Sequence, residues 1–169
     1  PLQYLMVMTC NAEWMTTTGN EGVLTPETIA FQSQSFYGSA SIPALMISNA
    51  AIFCESKTNA IRDLSFSSEA QGYAGDDLGA FANHLLVGHT IKEWAFQKKP
   101  FQTVWIVRDD GALLSMSYMR EQGITGWNSH EIDGTVESIC CIHENGGDSL
   151  YLLIKRTING ATKRYIERL

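Results

Sequence analysis

Four short polar turns recur along the chain at nearly constant spacing: Asn11-Ala12, Asn59-Ala60, Asp110-Gly111 and Asn159-Gly160. They fall at positions 12, 60, 111 and 160, separated by 48, 51 and 49 residues. Each follows an apolar run and leads into a segment carrying an aromatic: Trp14, Phe66, Tyr118 or Tyr165. Asp-Gly and Asn-Gly tolerate positive φ at both central positions, as a two-residue type I′ hairpin requires. The runs VWIVRD and ALLSMSY therefore predict one hairpin, and LYLLIKRTI and ATKRYIERL another. Such a chain is confined to antiparallel β architecture. A period near fifty residues with several short strands in each is a signature of β-propeller blades. A β-sandwich or an unrelated meander of hairpins is the alternative.

Runs rich in Val, Ile, Tyr, Trp, Phe and Thr predict strands over 3–9, 44–47, 51–55, 61–67, 90–97, 103–108, 112–118, 124–130, 136–143, 149–156 and 162–168. The clearest blade takes the four strands between 90 and 130, and the next has three before Leu169. The N-terminal end starts in mid-pattern. Propellers close with about four to eight blades, so the expectation is a single β-rich domain, 1–169, cut from a longer chain. A start at Pro1 without Met agrees with that. One short amphipathic helix is expected at 76–87, with Leu78, Phe81, Ala82 and Leu85 as its apolar stripe and Gly88 as its stop. The stretch 16–41 reads as a long surface loop with one strand near 29–34.

Composition narrows the function classes. Of 169 residues 44% are hydrophobic and 18% charged, which suits a packed core and excludes disorder. A net charge of −6 disfavours a domain devoted to gripping nucleic-acid phosphates. The longest apolar runs, 5–8 and 150–154, are far below the ~20 residues of a membrane-spanning helix. Cys10, Cys54, Cys140 and Cys141 make neither a disulfide framework nor a Cys-x-x-Cys zinc pattern. They are expected as buried free thiols in a reducing compartment.

Few residues suggest chemistry. Asp109 and Asp110 lie in a hairpin turn, where acidic residues serve the backbone, and the segment lacks the Ser or Thr and the aromatic of a sialidase-type Asp box. His84 and His89 are five apart, the wrong spacing for one helix face, and His130 and His143 stand alone. Neither a Gly-x-Ser-x-Gly elbow nor a phosphate-cradling Gly-x-x-x-x-Gly-Lys loop occurs. No catalytic residue, metal or cofactor is expected. Trp14, Trp94, Trp105 and Trp127 fall on predicted strands and read as packing residues. Lys155, Arg156, Lys163, Arg164 and Arg168 flank the last turn and form the candidate contact patch, for DNA phosphates or an acidic neighbour.

The strings EWMTTTG, LTPETI, QSQSFYGSASIP, IRDLSFS, DDLGAFANHLL, IKEWAFQKKP, VWIVRDDGALLSMSY and IKRTINGATKRYIERL span nearly all of the chain. Together they resemble the propeller-rich central part of tail proteins from short-tailed bacteriophages and prophages, of the nozzle or packaged-DNA stabilisation type. That resemblance implies a structural part of a virion tail, assembled in the bacterial host cytoplasm and without enzymatic activity. Its partners would be the rest of its own chain and other tail subunits in a homo-oligomeric ring, with packaged DNA as a non-specific contact. The competing readings are a carbohydrate-binding or carbohydrate-cleaving propeller and a generic protein-interaction propeller.

Overall fold

The computed structural model describes residues 4–18 and 25–169. These form four small antiparallel sheets distributed over two compact units, Pro1–Asn83 and His84–Leu169. In the first unit, β1 (Met6–Met8), β2 (Glu13–Thr18) and β3 (Ile29–Ser35) make a three-stranded sheet. Beside them in sequence, β4 (Leu45–Ile47), β5 (Ala50–Cys54), β6 (Ile61–Ser67) and β7 (Gly72–Ala74) make a four-stranded one. The second unit repeats the pair. Its sheets are β8 (Ile91–Gln97), β9 (Thr103–Arg108), β10 (Leu113–Met119) and β11 (Ile124–His130), then β12 (Thr135–Glu144), β13 (Gly147–Ile158) and β14 (Ala161–Arg168).

Every sheet is an up-and-down meander whose neighbours follow chain order. The four recurring turns join β1 to β2, β5 to β6, β9 to β10 and β13 to β14. In both four-stranded sheets the recurring hairpin is the central one. The period of about fifty residues is thus a period of one meander.

The turns differ in geometry. Asn159 and Gly160 have φ of 49° and 77°, both positive as a type I′ turn demands. At Asp110-Gly111 the type I′ expectation fails, because Gly111 alone of the pair has positive φ, at 81°. The Gly111 amide donates to the Arg108 carbonyl at 3.0 Å, and the Arg108 amide to the Ala112 carbonyl at 3.1 Å. This is a three-residue loop, a type I turn closed by a glycine bulge. Aspartate chemistry selects it: the Asp110 amide donates to Asp109 Oδ1 (3.0 Å) and the Ala112 amide to Asp110 Oδ1 (3.1 Å). A further type I′ hairpin at Asn145-Gly146, with φ of 50° and 84°, joins β12 to β13 and escaped the sequence reading.

The helix expected at 76–87 does not form. Residues Ala80–Leu85 make a 3-10 segment interrupted at Ala82, whose φ and ψ are −118° and 22°. Phe81, assigned to the apolar stripe, is fully exposed, whereas Ala82 and Leu86 are buried. The cause lies upstream. The Leu78 amide donates to the Ile61 carbonyl (2.8 Å), and Asp77 bridges Arg62, so 76–78 run as an extension of the β6 edge. What remains is too short for an isolated helix to hold itself together.

Apolar runs in the sequence become strands buried on both faces. Side chains alternate across a strand, yet Val104, Trp105, Ile106 and Val107 are all at most 8% exposed. All five residues of β5 are buried as well. In the first unit, Ala51, Phe53, Leu64 and Tyr73 pack with Met6, Met8 and Met15, which stacks the first sheet on the second. In the second, Trp105, Val107 and Leu113 pack on Val136, Ile139, Leu150, Leu152 and Ile154. The cysteine expectation is half corrected: Cys54 is buried and Cys141 partly so, while Cys10 and Cys140 are exposed. Burial pushes both the Cys54 and the Cys141 thiol up to about 11, so neither is a ready nucleophile.

Polar groups fix the two sheets of the second unit against each other. Asp148, at the start of β13, accepts the Lys98 and Lys99 amides at 2.7 and 2.8 Å. It also takes His143 Nδ1 at 2.7 Å. Gln97 Nε2 donates to the Asp148 carbonyl at 2.7 Å, and the Val136 amide to the Gly111 carbonyl at 3.0 Å. The His143 contact and the two amides hold the Asp148 carboxyl below the ordinary carboxylate range. Its folded pKa is depressed, so its contribution is present above the unfolded value of about 4 and is lost as pH falls through the folded one. Asp148→Asn is therefore expected to lower stability at neutral pH and to make the loss of stability below about pH 4 shallower than in the parent. Urea unfolding across that range checks both signs.

Candidate functional site

Pairing across the last hairpin sets Lys155 opposite Arg164 and Arg156 opposite Lys163. Adjacent rows of a sheet point to opposite faces. Lys155, Arg164 and Arg168 therefore share one face of the β12–β14 sheet, and Arg156 and Lys163 the other. The five cations expected as one patch are divided between two surfaces.

The three arginines also carry their own counter-charges. Arg164 grips Glu137 on β12 in a fork, with contacts of 2.6 and 3.1 Å. Arg156 grips Glu167 at 2.9 and 2.8 Å, with Asp133 at 3.6 Å. Arg168 lies 2.8 Å from Glu144 and donates to Ser149 Oγ at 2.9 Å. Hydrogen bonding from Arg164 lowers the Glu137 pKa. At Glu144 the Ser149 hydroxyl is the main lowering influence, followed by Tyr151 and Arg168. Forked guanidinium–carboxylate pairs are geometrically specific, and here they tie β14 to the rest of its sheet. Lys155 and Lys163 are exposed.

A second cluster joins residues that sequence reasoning kept apart. His89 Nδ1 lies 3.2 Å from Asp109 Oδ1 and 3.6 Å from Asp110 Oδ2. One ligand atom from each of the three residues falls within 4.8 Å of the others, a spacing a metal ion could use. Arg108 argues otherwise. Its Nε donates to Asp110 Oδ1 at 3.1 Å, a second guanidinium nitrogen meets Asp110 Oδ2, and another donates to the Leu85 carbonyl at 2.7 Å. That hydrogen bonding holds the Asp110 carboxyl down at about 2. A guanidinium already neutralises the carboxylate a cation would need, so the cluster is a salt-linked turn.

Asp110 also lines a cleft of about 320 Å³ with Ala112, Leu113, Ser129, His130 and Ile132. Within it His130 Nε2 lies 2.8 Å from Ser115 Oγ and its ring sits 5.0 Å from that of Trp105. A Ser–His contact is the first requirement of a nucleophile and its base. Ser115, however, is 5% exposed and lies in register with Trp105, beneath the histidine. The hydroxyl cannot meet a substrate there, and the pair satisfies two polar groups on a packed face. The sequence carried no sign of it, because the partners are fifteen residues apart on neighbouring strands.

The tryptophans divide. Trp94 and Trp105 are buried, and Trp105 Nε1 donates to Gln97 Oε1 at 2.8 Å. Trp14 and Trp127 are half-buried. The buried pair offers no flat platform to a sugar ring. No protein-family model and no curated protein matches this chain.

Proposed function

We propose that the chain is a structural component of a bacteriophage tail. In this reading its meanders are consecutive blades of a β-propeller scaffold, without enzymatic activity. The observation that carries it is the repeat: four up-and-down sheets, each built around a hairpin recurring every 48 to 51 residues. Radially repeated meanders are how propellers protect their edges. The tail role itself rests on the resemblance of the sequence strings to nozzle-type tail proteins. The pairing of Arg156, Arg164 and Arg168 with carboxylates of the same sheet supports a scaffold over a phosphate-gripping surface. A net charge of −6 suits a wall along which DNA slides without sticking.

Electron microscopy of the full-length parent polypeptide tests the proposal. The expected result is a ring-shaped oligomer that docks on a portal. A strictly monomeric parent with measurable glycan turnover would overturn it.

A further inference from the structure

The recurring turns differ in whether the amide of the second residue is occupied. The Ala12 amide donates to Thr9 Oγ1 at 3.1 Å, the Ala60 amide to Thr58 Oγ1 at 3.4 Å, and the Gly111 amide to the Arg108 carbonyl at 3.0 Å. In Asn159-Gly160 the Gly160 amide has no acceptor among the described residues, and neither has Gly146 in the additional hairpin Asn145-Gly146. The side-chain amides of Asn145 and Asn159 are without partners among the same residues. Both asparagines and both glycines are exposed.

Asparagine is a thermolabile residue because it closes on its own main chain. The amide nitrogen of the next residue gives its proton to base and attacks the side-chain carbon Cγ. A C–N bond forms, the bond from Cγ to the side-chain nitrogen breaks, and ammonia leaves with a proton from solvent. Water then opens the cyclic imide at either carbonyl, giving aspartate or isoaspartate, and no oxidant or reductant takes part. Glycine permits the attack best, since it has no β-carbon to crowd it. A hydrogen bond from that amide holds its proton and must break first. At Gly146 and Gly160 even an added Cβ would meet nothing within 4 Å, so the ring has room. Reaching the attacking geometry requires the turn to open, and a hairpin tip opens at lower cost than its strands.

We propose that Asn145-Gly146 and Asn159-Gly160 are sites of spontaneous deamidation in the folded chain, and that the fold protects the other three recurring turns. Asp110-Gly111 gives the sharpest contrast. An aspartate forms the same imide only by expelling water from a neutral carboxyl, and Arg108 holds the Asp110 carboxylate ionised through two guanidinium nitrogens. The Gly111 amide is occupied as well. Isoaspartate carries the main chain through the former side chain, which adds one backbone atom to a two-residue turn and removes its type I′ geometry. Either product also replaces a neutral amide with a carboxylate. The change falls on the β12–β13 hairpin at Asn145 and on the β13–β14 hairpin at Asn159, so one sheet carries both sites. The inference is independent of the function proposed above.

The test is peptide mapping by mass spectrometry, with enzymatic labelling of isoaspartate, on the 169-residue chain aged in mildly alkaline buffer with and without urea. In the folded chain Asn145 and Asn159 are expected to convert at least about tenfold faster than Asn11 and Asn59. Asp110 should stay unmodified in the folded chain and form isoaspartate in urea, where neither Arg108 nor the turn holds it. Asn159→Gln should abolish conversion at that position and leave Asn145 reacting as before, because the longer side chain closes a less favourable ring. Asn145 and Asn159 reacting no faster than Asn11 and Asn59 in the folded chain overturns the proposal. Conversion at one of the two sites alone overturns the assignment of the other, and Asp110 isomerising as fast folded as in urea overturns the protection.

Discussion

Alanine in place of Gly111 is expected to cost about 3 kcal/mol or more, whereas the same change at Gly160 should cost about 1 kcal/mol. Both glycines close a recurring hairpin and both hold positive φ, at 81° and 77°. A β-carbon at either pays the strain of a left-handed backbone, about 1–2 kcal/mol. The surroundings separate them. At Gly160 an added Cβ would meet nothing within 4 Å. At Gly111 it would lie 2.0 Å from Thr135 Cγ2, 3.2 Å from Thr135 Cβ and 3.3 Å from the Val136 amide nitrogen. Thr135 is β-branched and opens β12, so it cannot swing aside freely. Relief would pull the turn from β12 and break the hydrogen bond from Val136 to the Gly111 carbonyl. Urea unfolding of the two variants measures the difference. Equal losses would mean that the β9–β10 turn does not pack on β12.

Phe53→Ala is expected to destabilise the first unit by about 3–5 kcal/mol, the range for emptying a buried aromatic site. Phe53 is 0% exposed and packs with Ala51, Leu64 and Tyr73, with Met6, Met8 and Met15 closing over the cluster from the first sheet. Three methionines are adaptable neighbours and will fill part of the space, which argues for the lower half of the range. The matched control is Phe66→Ala. Phe66 is 59% exposed and keeps one edge-to-face contact, with Tyr73 at 5.8 Å. Its loss should cost about 1 kcal/mol or less. Thermal and urea denaturation of the two variants check the contrast, and similar losses would put the core of this unit elsewhere.

The two phenylalanines also mark the limit of what could be read from the sequence. Both lie on predicted strands flanked by a turn, and nothing local distinguishes them. Several strand positions, by contrast, were legible to the residue: β6, β9 and β11 match the expected 61–67, 103–108 and 124–130, whereas the end of β2, Thr16 to Thr18, falls in what was expected as loop. Period-two patterning and Asn/Asp-Gly turns are short-range signals, and an antiparallel meander is built from short-range pairings. The short β7, which contains a glycine and spans three residues, had no such signal. The helix expectation failed for the complementary reason. Leu78, Phe81, Ala82 and Leu85 have helical spacing, but a tertiary hydrogen bond from Leu78 to Ile61 claimed the first turn.

The candidate patch divides along the same line. The sequence located the basic residues around Asn159-Gly160, and the hairpin brings them together as strand neighbours. It could not show that Arg164 is held by Glu137, twenty-seven residues away on a strand that is not its neighbour. Nor could it show that His89 meets Asp109 across twenty residues, or that Ser115 lies under His130.

The sequence by itself determined an all-antiparallel chain with one recurring turn per fifty or so residues. It did so because alternation and turn chemistry act between residues close along the chain. Only the tertiary structure decided which face of each strand is covered and which charges are already spent on one another. Those outcomes depend on side chains that approach from distant strands, which is how Gly111 and Gly160, two turn glycines of similar positive φ, acquire different surroundings.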